Sequence, residues 1–146
     1  MQELTKNIWD FLGRGIIAIT TNNSLTRDGR AIPGHGVAAQ AAQHFPELFQ
    51  ELGRRLQESG SHVHELSHGL VSFPVEETPW SPPDLRLIRR SAEELRALAD
   101  LRGWPLVVVP RPGCGGGGLR WEEVRPLLAG QFDERFIVVT TAKSLV

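Results

Sequence analysis

Three short β-branched runs decide what this chain can become: Gly15-Ile16-Ile17-Ala18-Ile19-Thr20, Leu106-Val107-Val108-Val109 and Phe136-Ile137-Val138-Val139-Thr140. Each is nearly all apolar rather than alternating, as strands buried on both faces are, and each is bounded by turn-forming residues. Between them lie longer stretches with helical spacing. Strands alternating with helices predict an α/β domain built on crossover connections.

Around those runs the remaining elements fall into place. Glu3 to Trp9 is short and mixed and reads as an edge strand, and Asn22 to Pro33 is a polar surface loop. A helix opens at Val37, is interrupted by Pro46, and resumes through Leu48, Leu52 and Leu56 up to Ser59-Gly60. His62 to Leu66 and Gly69 to Phe73 are expected as two short strands about a turn at Ser67-His68-Gly69. Four prolines from Pro74 to Pro83 mark an irregular loop. Asp84 is a natural cap for a helix whose Leu85, Ile88, Ala92, Leu95 and Ala99 share one face. Trp104 to Pro110 carries the central strand, and Trp121 to Leu128 is the last helix.

Composition narrows the function. The 146 residues carry 16 basic and 17 acidic side chains, so no global basic footprint points to bulk nucleic-acid binding. One cysteine excludes a disulfide framework and a cysteine-based structural zinc site, and fits a reducing, cytoplasmic setting. No apolar run reaches the roughly 18 residues that span a bilayer, so no membrane partner is expected.

The glycines are not evenly spread. Eight of 15 fall in Gly29 to Gly36 or Gly113 to Gly118. Gly34-His35-Gly36 precedes the helix at Val37, and Gly113-Cys114-Gly115-Gly116-Gly117-Gly118 precedes the helix near Trp121. Such loops let a ligand approach the backbone, and helix N-termini favour anions. Two of them in one small domain suit a diphosphate. Neither contains the Gly-Lys-Ser/Thr of a nucleoside-triphosphate loop. Gly34-His35-Gly36-Val37-Ala38-Ala39 fits the dinucleotide pattern G-x-G-x-x-G/A, but a long polar loop separates it from its strand.

The order of strand, Asn22, Gly34-His35-Gly36-Val37-Ala38, Phe73-Pro74 and then Pro110-Arg111-Pro112-Gly113-Cys114-Gly115-Gly116-Gly117-Gly118-Leu119-Arg120-Trp121-Glu122 resembles a macrodomain, the ADP-ribose-binding module, over nearly the whole chain. The Gly-Cys-Gly loop with Leu119, Trp121 and Val124 is most similar to the branch that hydrolyses glutamate-linked or DNA-linked ADP-ribose. The resemblance implies one domain over residues 1–146, a three-layer α/β/α fold with a mixed, mostly parallel sheet. It also implies a ligand held by Gly34, His35, Gly36 and Val37 and by Gly113, Cys114, Gly115, Gly116, Gly117, Gly118 and Leu119. Asn7 and Ile8 then lie at the adenine end, where many members have Asp-Ile, and Asn22 lies beside the distal ribose. The expected partner is ADP-ribose or an ADP-ribosylated protein or nucleic acid, with no cofactor and a monomeric chain.

Three departures bear on catalysis. Where lysine-dependent members carry their lysine, this chain has Glu76; Gly116 and Gly117 replace an acidic residue; Ile19 replaces an asparagine. Glu76 can act on water as a general base or as a carboxylate nucleophile, and His35 is a second acid or base. The alternative is a non-catalytic reader or scavenger of ADP-ribose. A third reading comes from His64-Glu65-Leu66-Ser67-His68, which matches the zinc-hydrolase motif H-E-x-x-H but needs a helix that Gly60 and Gly69 leave little room for. Cys114 is either a nucleophile or a small side chain in a tight loop. Arg111 either meets a phosphate, forms a salt bridge or is a solvated loop position, and Trp80 either covers the ligand or packs its loop onto the domain. Trp121 is expected in the core, and the arginines of the Asp84 helix read as a solvated face with local ion pairs.

Overall fold

The apolar runs form five strands in a computed structural model that describes residues 1–141. They are β1 (Gln2–Thr5), β2 (Ile16–Thr21), β3 (Leu70–Pro74), β4 (Val107–Pro110) and β5 (Phe136–Thr140). Their order is β1-β5-β4-β2-β3, and all four neighbouring pairs run parallel. The sheet is thus parallel among its named strands. Among the described residues the antiparallel component is confined to isolated bridges at Leu25–Ala31 and Glu65–Val71.

Parallel neighbours require crossovers, and the helices supply them. They are α1 (Gly36–His44), α2 (Leu48–Ser59), α3 (Leu85–Arg102) and α4 (Trp121–Ala129). Side-chain alternation along each strand splits the core in two. Ile17, Ile19, Val108, Ile137 and Val139 pack with Ala38, Ala41, Phe49 and Leu52 of α1 and α2. Ala18, Phe73, Val107, Val109, Phe136 and Val138 face Ile88, Ala92, Leu95, Val124 and Leu128 of α3 and α4. The result is the expected α/β/α sandwich.

Local signals account for most boundaries. Pro46 separates α1 from α2, and the Asp84 carboxylate accepts from Arg86 N at 2.8 Å to start α3, which Gly103 ends at φ 66°. On α3 the core face includes Leu87, whereas Leu85 stays 37% exposed. The Asn22–Pro33 loop is pinned to α2: Ala31 N donates to Phe49 O at 2.9 Å and Gln57 Nε2 to Gly29 O at 3.1 Å. A Cβ on Gly53 would be driven into the Gly29 carbonyl oxygen, so glycine there is a packing requirement.

One expected strand is not formed. His62 to Leu66 makes a single bridge to β3, because side chains take two of its amides: Val63 N donates to Glu94 Oε1 and His64 N to Ser72 Oγ. The turn itself is present, with His68 at φ 65° and Gly69 at φ 73°.

Candidate functional site

A cleft of about 740 Å³ opens beyond the carboxyl ends of the strands. The chain leaves β2 toward α1 on one face of the sheet and leaves β4 toward α4 on the other, so the adjacent β2 and β4 define a topological switch point where open α/β sheets bind ligands. Both glycine-rich stretches start from this crevice. Of the sequence-derived site residues, Asn7, Ile8, His35, Gly36, Val37, Glu76, Gly113, Cys114, Gly115, Gly116, Gly117 and Leu119 line it.

The first stretch presents the N-terminus of α1. His35 occupies the cap position with extended backbone and makes no side-chain cap, and the first turn has no acidic residue. The leading amides of Gly36 and Val37 have no intrahelical acceptor, so this end is open to an anion. Gly34 stands outside the wall at φ 76°, turning the chain. Asn22 is also behind the wall: its Nδ2 donates to Ile32 O at 3.0 Å and its Oδ1 accepts from Ser24 N at 2.9 Å. Its amide staples the loop, and a Cβ on Gly34 would stand 3.5 Å from its Nδ2.

In the second stretch the glycines divide by task. Leu119 N donates to Gly113 O at 3.0 Å and closes the loop. Gly113 needs φ 73°, and a Cβ there would stand 2.8 Å from Leu119 Cδ1 and 3.0 Å from Pro83 Cβ. One on Gly117 would stand 2.5 Å from Pro83 Cγ and 2.7 Å from Gly113 O. Around Gly115 and Gly116 a Cβ would meet nothing within 4 Å. Among the described residues the main-chain amides of Gly115, Gly116 and Gly117 have no hydrogen-bond partner. Gly118, at φ 83°, lies outside the wall.

The helix after this loop is not an anion site. Glu123 accepts from Arg120 N at 3.1 Å, and Glu122 and Glu123 fill the first turn of α4. That end of the macrodipole is already answered by carboxylates. The loop amides, not the helix, are what the second stretch offers.

Glu76 sits half-buried in the wall, and burial pushes its carboxyl above the usual range while nearby His35 opposes the shift. A group that resists ionisation in a cleft is suited to proton transfer. Cys114 is different. Burial pushes its thiol up, so the nucleophilic thiolate is disfavoured, and its Sγ lies 3.5 Å from Pro112 O. Among the described residues Arg111 forms no salt bridge; its guanidinium lies 4.8 Å from the Trp121 ring centre. Trp121 packs against the α3–α4 core as expected and also forms part of the wall, with Nε1 donating to Glu3 Oε1 at 2.8 Å. Trp80 does not pack its loop down: it is 81% exposed at the rim.

The His64–His68 segment is not a helix. His64 Nε2 pairs with Gly60 O at 2.8 Å, His68 stacks on Phe45 at 4.1 Å, and Glu65 accepts from Arg102 Nε at 2.7 Å. Among the described residues no group of three or more histidine, cysteine or acidic side chains is arranged to hold a metal. The zinc reading loses its geometric basis. Sequence reasoning missed Lys6, Thr20 and Gln40, which also line the cleft. Gln40 was within reach, being one turn from Val37 on the same side of α1.

This chain has the macrodomain fold. The macrodomain of Mycobacterium tuberculosis DarG superposes with a TM-score of 0.77 at 22% identity, over 97% of this chain and 100% of that one. The macrodomain of Thermus aquaticus DarG gives 0.77 at 18% identity over 96% of each chain. Thermosipho africanus DarTG, solved in complex with ADP-ribose, gives 0.77 at 17% identity over 98% of this chain and 42% of that one. No protein-family model and no curated protein sequence matches the chain. Among the described residues no helix is long and apolar enough to cross a membrane.

Proposed function

We propose that the cleft binds ADP-ribose, free or attached to a protein or nucleic acid, and that residues 1–146 act as one ADP-ribose-binding domain. The observation that carries this reading is the pair of unsatisfied amide sets, at the start of α1 and at Gly115–Gly117, facing one cleft at the switch point. Two such sets match the two phosphates of a diphosphate. The Thermosipho africanus neighbour was solved with this ligand, which supports the choice among diphosphates.

On the same reading the protein is an ADP-ribosylhydrolase for glutamate-linked or nucleic-acid-linked ADP-ribose. Glu76, as carboxylate, takes a proton from water attacking the anomeric carbon. The bond from that carbon to the modified group breaks, and His35 can protonate the departing atom. The raised carboxyl of Glu76 and its proximity to His35 support this assignment.

Titration calorimetry with ADP-ribose tests the binding, and saturable binding weaker than millimolar refutes it. Incubation with ADP-ribosylated DNA and glutamate-modified protein tests the turnover. Binding without release from either substrate identifies a reader, the role favoured by the absence of a lysine at position 76.

A further inference from the structure

The buried face of α3 carries one polar side chain. Ser91 is fully buried on the face that Leu87, Ile88, Ala92, Leu95 and Ala99 turn to the core, where alanine would favour the helix more. A buried hydroxyl needs a partner, and this one does not turn back onto its own helix. Its Oγ donates to Pro74 O at 2.7 Å.

Pro74 ends β3, and the peptide joining it to Val75 is held on both sides: the carbonyl by Ser91, and the Val75 N–H by Thr21 O of β2 at 3.0 Å. Val75 O then accepts from Asp84 N at 2.8 Å, and Glu77 O accepts from Asn23 N at 3.0 Å and from Ser24 Oγ at 3.4 Å. Glu76, in the cleft wall, stands between these anchors. Thr21, Asp84 and Asn23 act through main-chain atoms, and the Ser24 contact is long. Ser91 is thus the buried side chain of the set, and Pro74 is buried as well. Without the hydroxyl, Pro74 O is a buried acceptor with nothing to accept, and the segment must shift until it meets water or another donor. Glu76, two residues along, shifts with it.

We propose that Ser91 is a positioning residue for the reaction: by holding Pro74 O it fixes the path of the chain out of β3 and keeps the Glu76 carboxylate where it meets the attacking water. The inference rests on the catalytic role assigned to Glu76. Ser91 itself stands outside the cleft wall, so binding and turnover respond differently to its loss. His35 is the charged group that acts on Glu76 from the start of α1, opposing the effect of burial on its carboxyl.

The test removes the hydroxyl with Ser91→Ala in the full chain and compares it with Ala99→Gly, which loosens the same helix without touching Pro74. In Ser91→Ala, single-turnover release from an ADP-ribosylated substrate is expected to fall about tenfold or more, the scale of a small misplacement, with ADP-ribose affinity within about twofold of the unaltered chain. The acid limb of its pH–rate profile and the carbon-13 titration of the Glu76 carboxyl both move down toward the ordinary carboxylate range, as a freed side chain reaches solvent. Ala99→Gly changes neither the limb nor the titration. An unaltered Glu76 titration in Ser91→Ala, the same changes in Ala99→Gly, or an equal loss of affinity and turnover overturns the inference. If the unaltered chain releases no ADP-ribose, the catalytic reading of Glu76 falls and with it the part of Ser91 in the reaction, while the carboxyl titration still reports whether Ser91 holds Glu76.

Discussion

Gly116 and Gly117 are neighbours, yet substituting each by alanine should have opposite consequences, and the contrast tests whether the loop is a turn or a cradle. At Gly117 the new methyl would stand 2.5 Å from Pro83 Cγ and 2.7 Å from Gly113 O, so loop and proline segment must part. Overpacking of this kind costs about 1–3 kcal/mol, a fall in Tm of about 2–12 °C for a chain of this size. At Gly116 the methyl meets no protein atom within 4 Å, and φ lies outside the left-handed region. Gly116→Ala should then gain about 0.4–1 kcal/mol from a stiffer unfolded chain, raising Tm by about 1–4 °C. Gly116 lines the cleft, however, so a methyl there crowds a ligand held by the loop amides. Loss of one charge-assisted hydrogen bond to the diphosphate, worth about 1.5–3 kcal/mol, lowers ADP-ribose affinity by about 10–150-fold. Calorimetry and thermal melts on the two variants suffice. If Gly116→Ala binds ADP-ribose as well as the unaltered chain, the open amides do not hold the ligand and the cradle argument fails.

Other outcomes follow from the same geometry. Glu76→Gln should lower turnover by about 10²-fold or more with a smaller change in ADP-ribose affinity, and equal rates in single-turnover assays would remove Glu76 from catalysis. Because burial raises the Glu76 carboxyl, the acidic limb of the pH–rate profile should lie above the ordinary carboxylate range; a limb at or below it counts against Glu76 as the base. Gly53→Ala should destabilise by about 1–3 kcal/mol in denaturant melts through the clash with Gly29 O, and a neutral result would show that α2 and the polar loop are not in register. Asp133, hydrogen-bonded to Arg135, is held down to about 2 from a model-compound 3.8. Its contribution is complete above pH 3.8 and lost as pH falls through about 2, so Asp133→Asn should lower stability at pH 7 by a small amount, the pair being solvent-screened, and the difference from the unaltered chain should vanish as pH falls through about 2 in acid-unfolding curves.

The β-branched runs announced β2, β4 and β5 because a strand buried on both faces leaves no room for polar alternation. Asp84 and Pro46 announced helix boundaries for equally local reasons. His62 to Leu66 misled because its alternation was satisfied by side-chain acceptors, Glu94 and Ser72, supplied from distant parts of the chain. The site divided along the same line. Glycines flagged the two loops, since their conformations are a property of the residue itself. That Glu123 seals α4, that Arg111 stacks on Trp121 and that Asn22 faces its own loop are long-range or rotamer-level outcomes. No spacing rule encodes them. Lys6 carries no motif and enters the cleft because it follows β1, which parallel pairing with β5 sets at the edge of the sheet.

The lone bridge between Glu65 and Val71 matters beyond the missing strand. Leu66 N donates to Leu70 O and Ser72 N to His64 O, so the outward backbone groups of β3 are already engaged. An open β-edge invites a second chain to extend the sheet. Here that growth is stopped by a segment too short to count as a strand and too irregular to offer a fresh edge of its own. Among the described residues the other edge, β1, is four residues long. A sheet built almost wholly of aggregation-prone β-branched sequence is in this way left with little surface on which to polymerise.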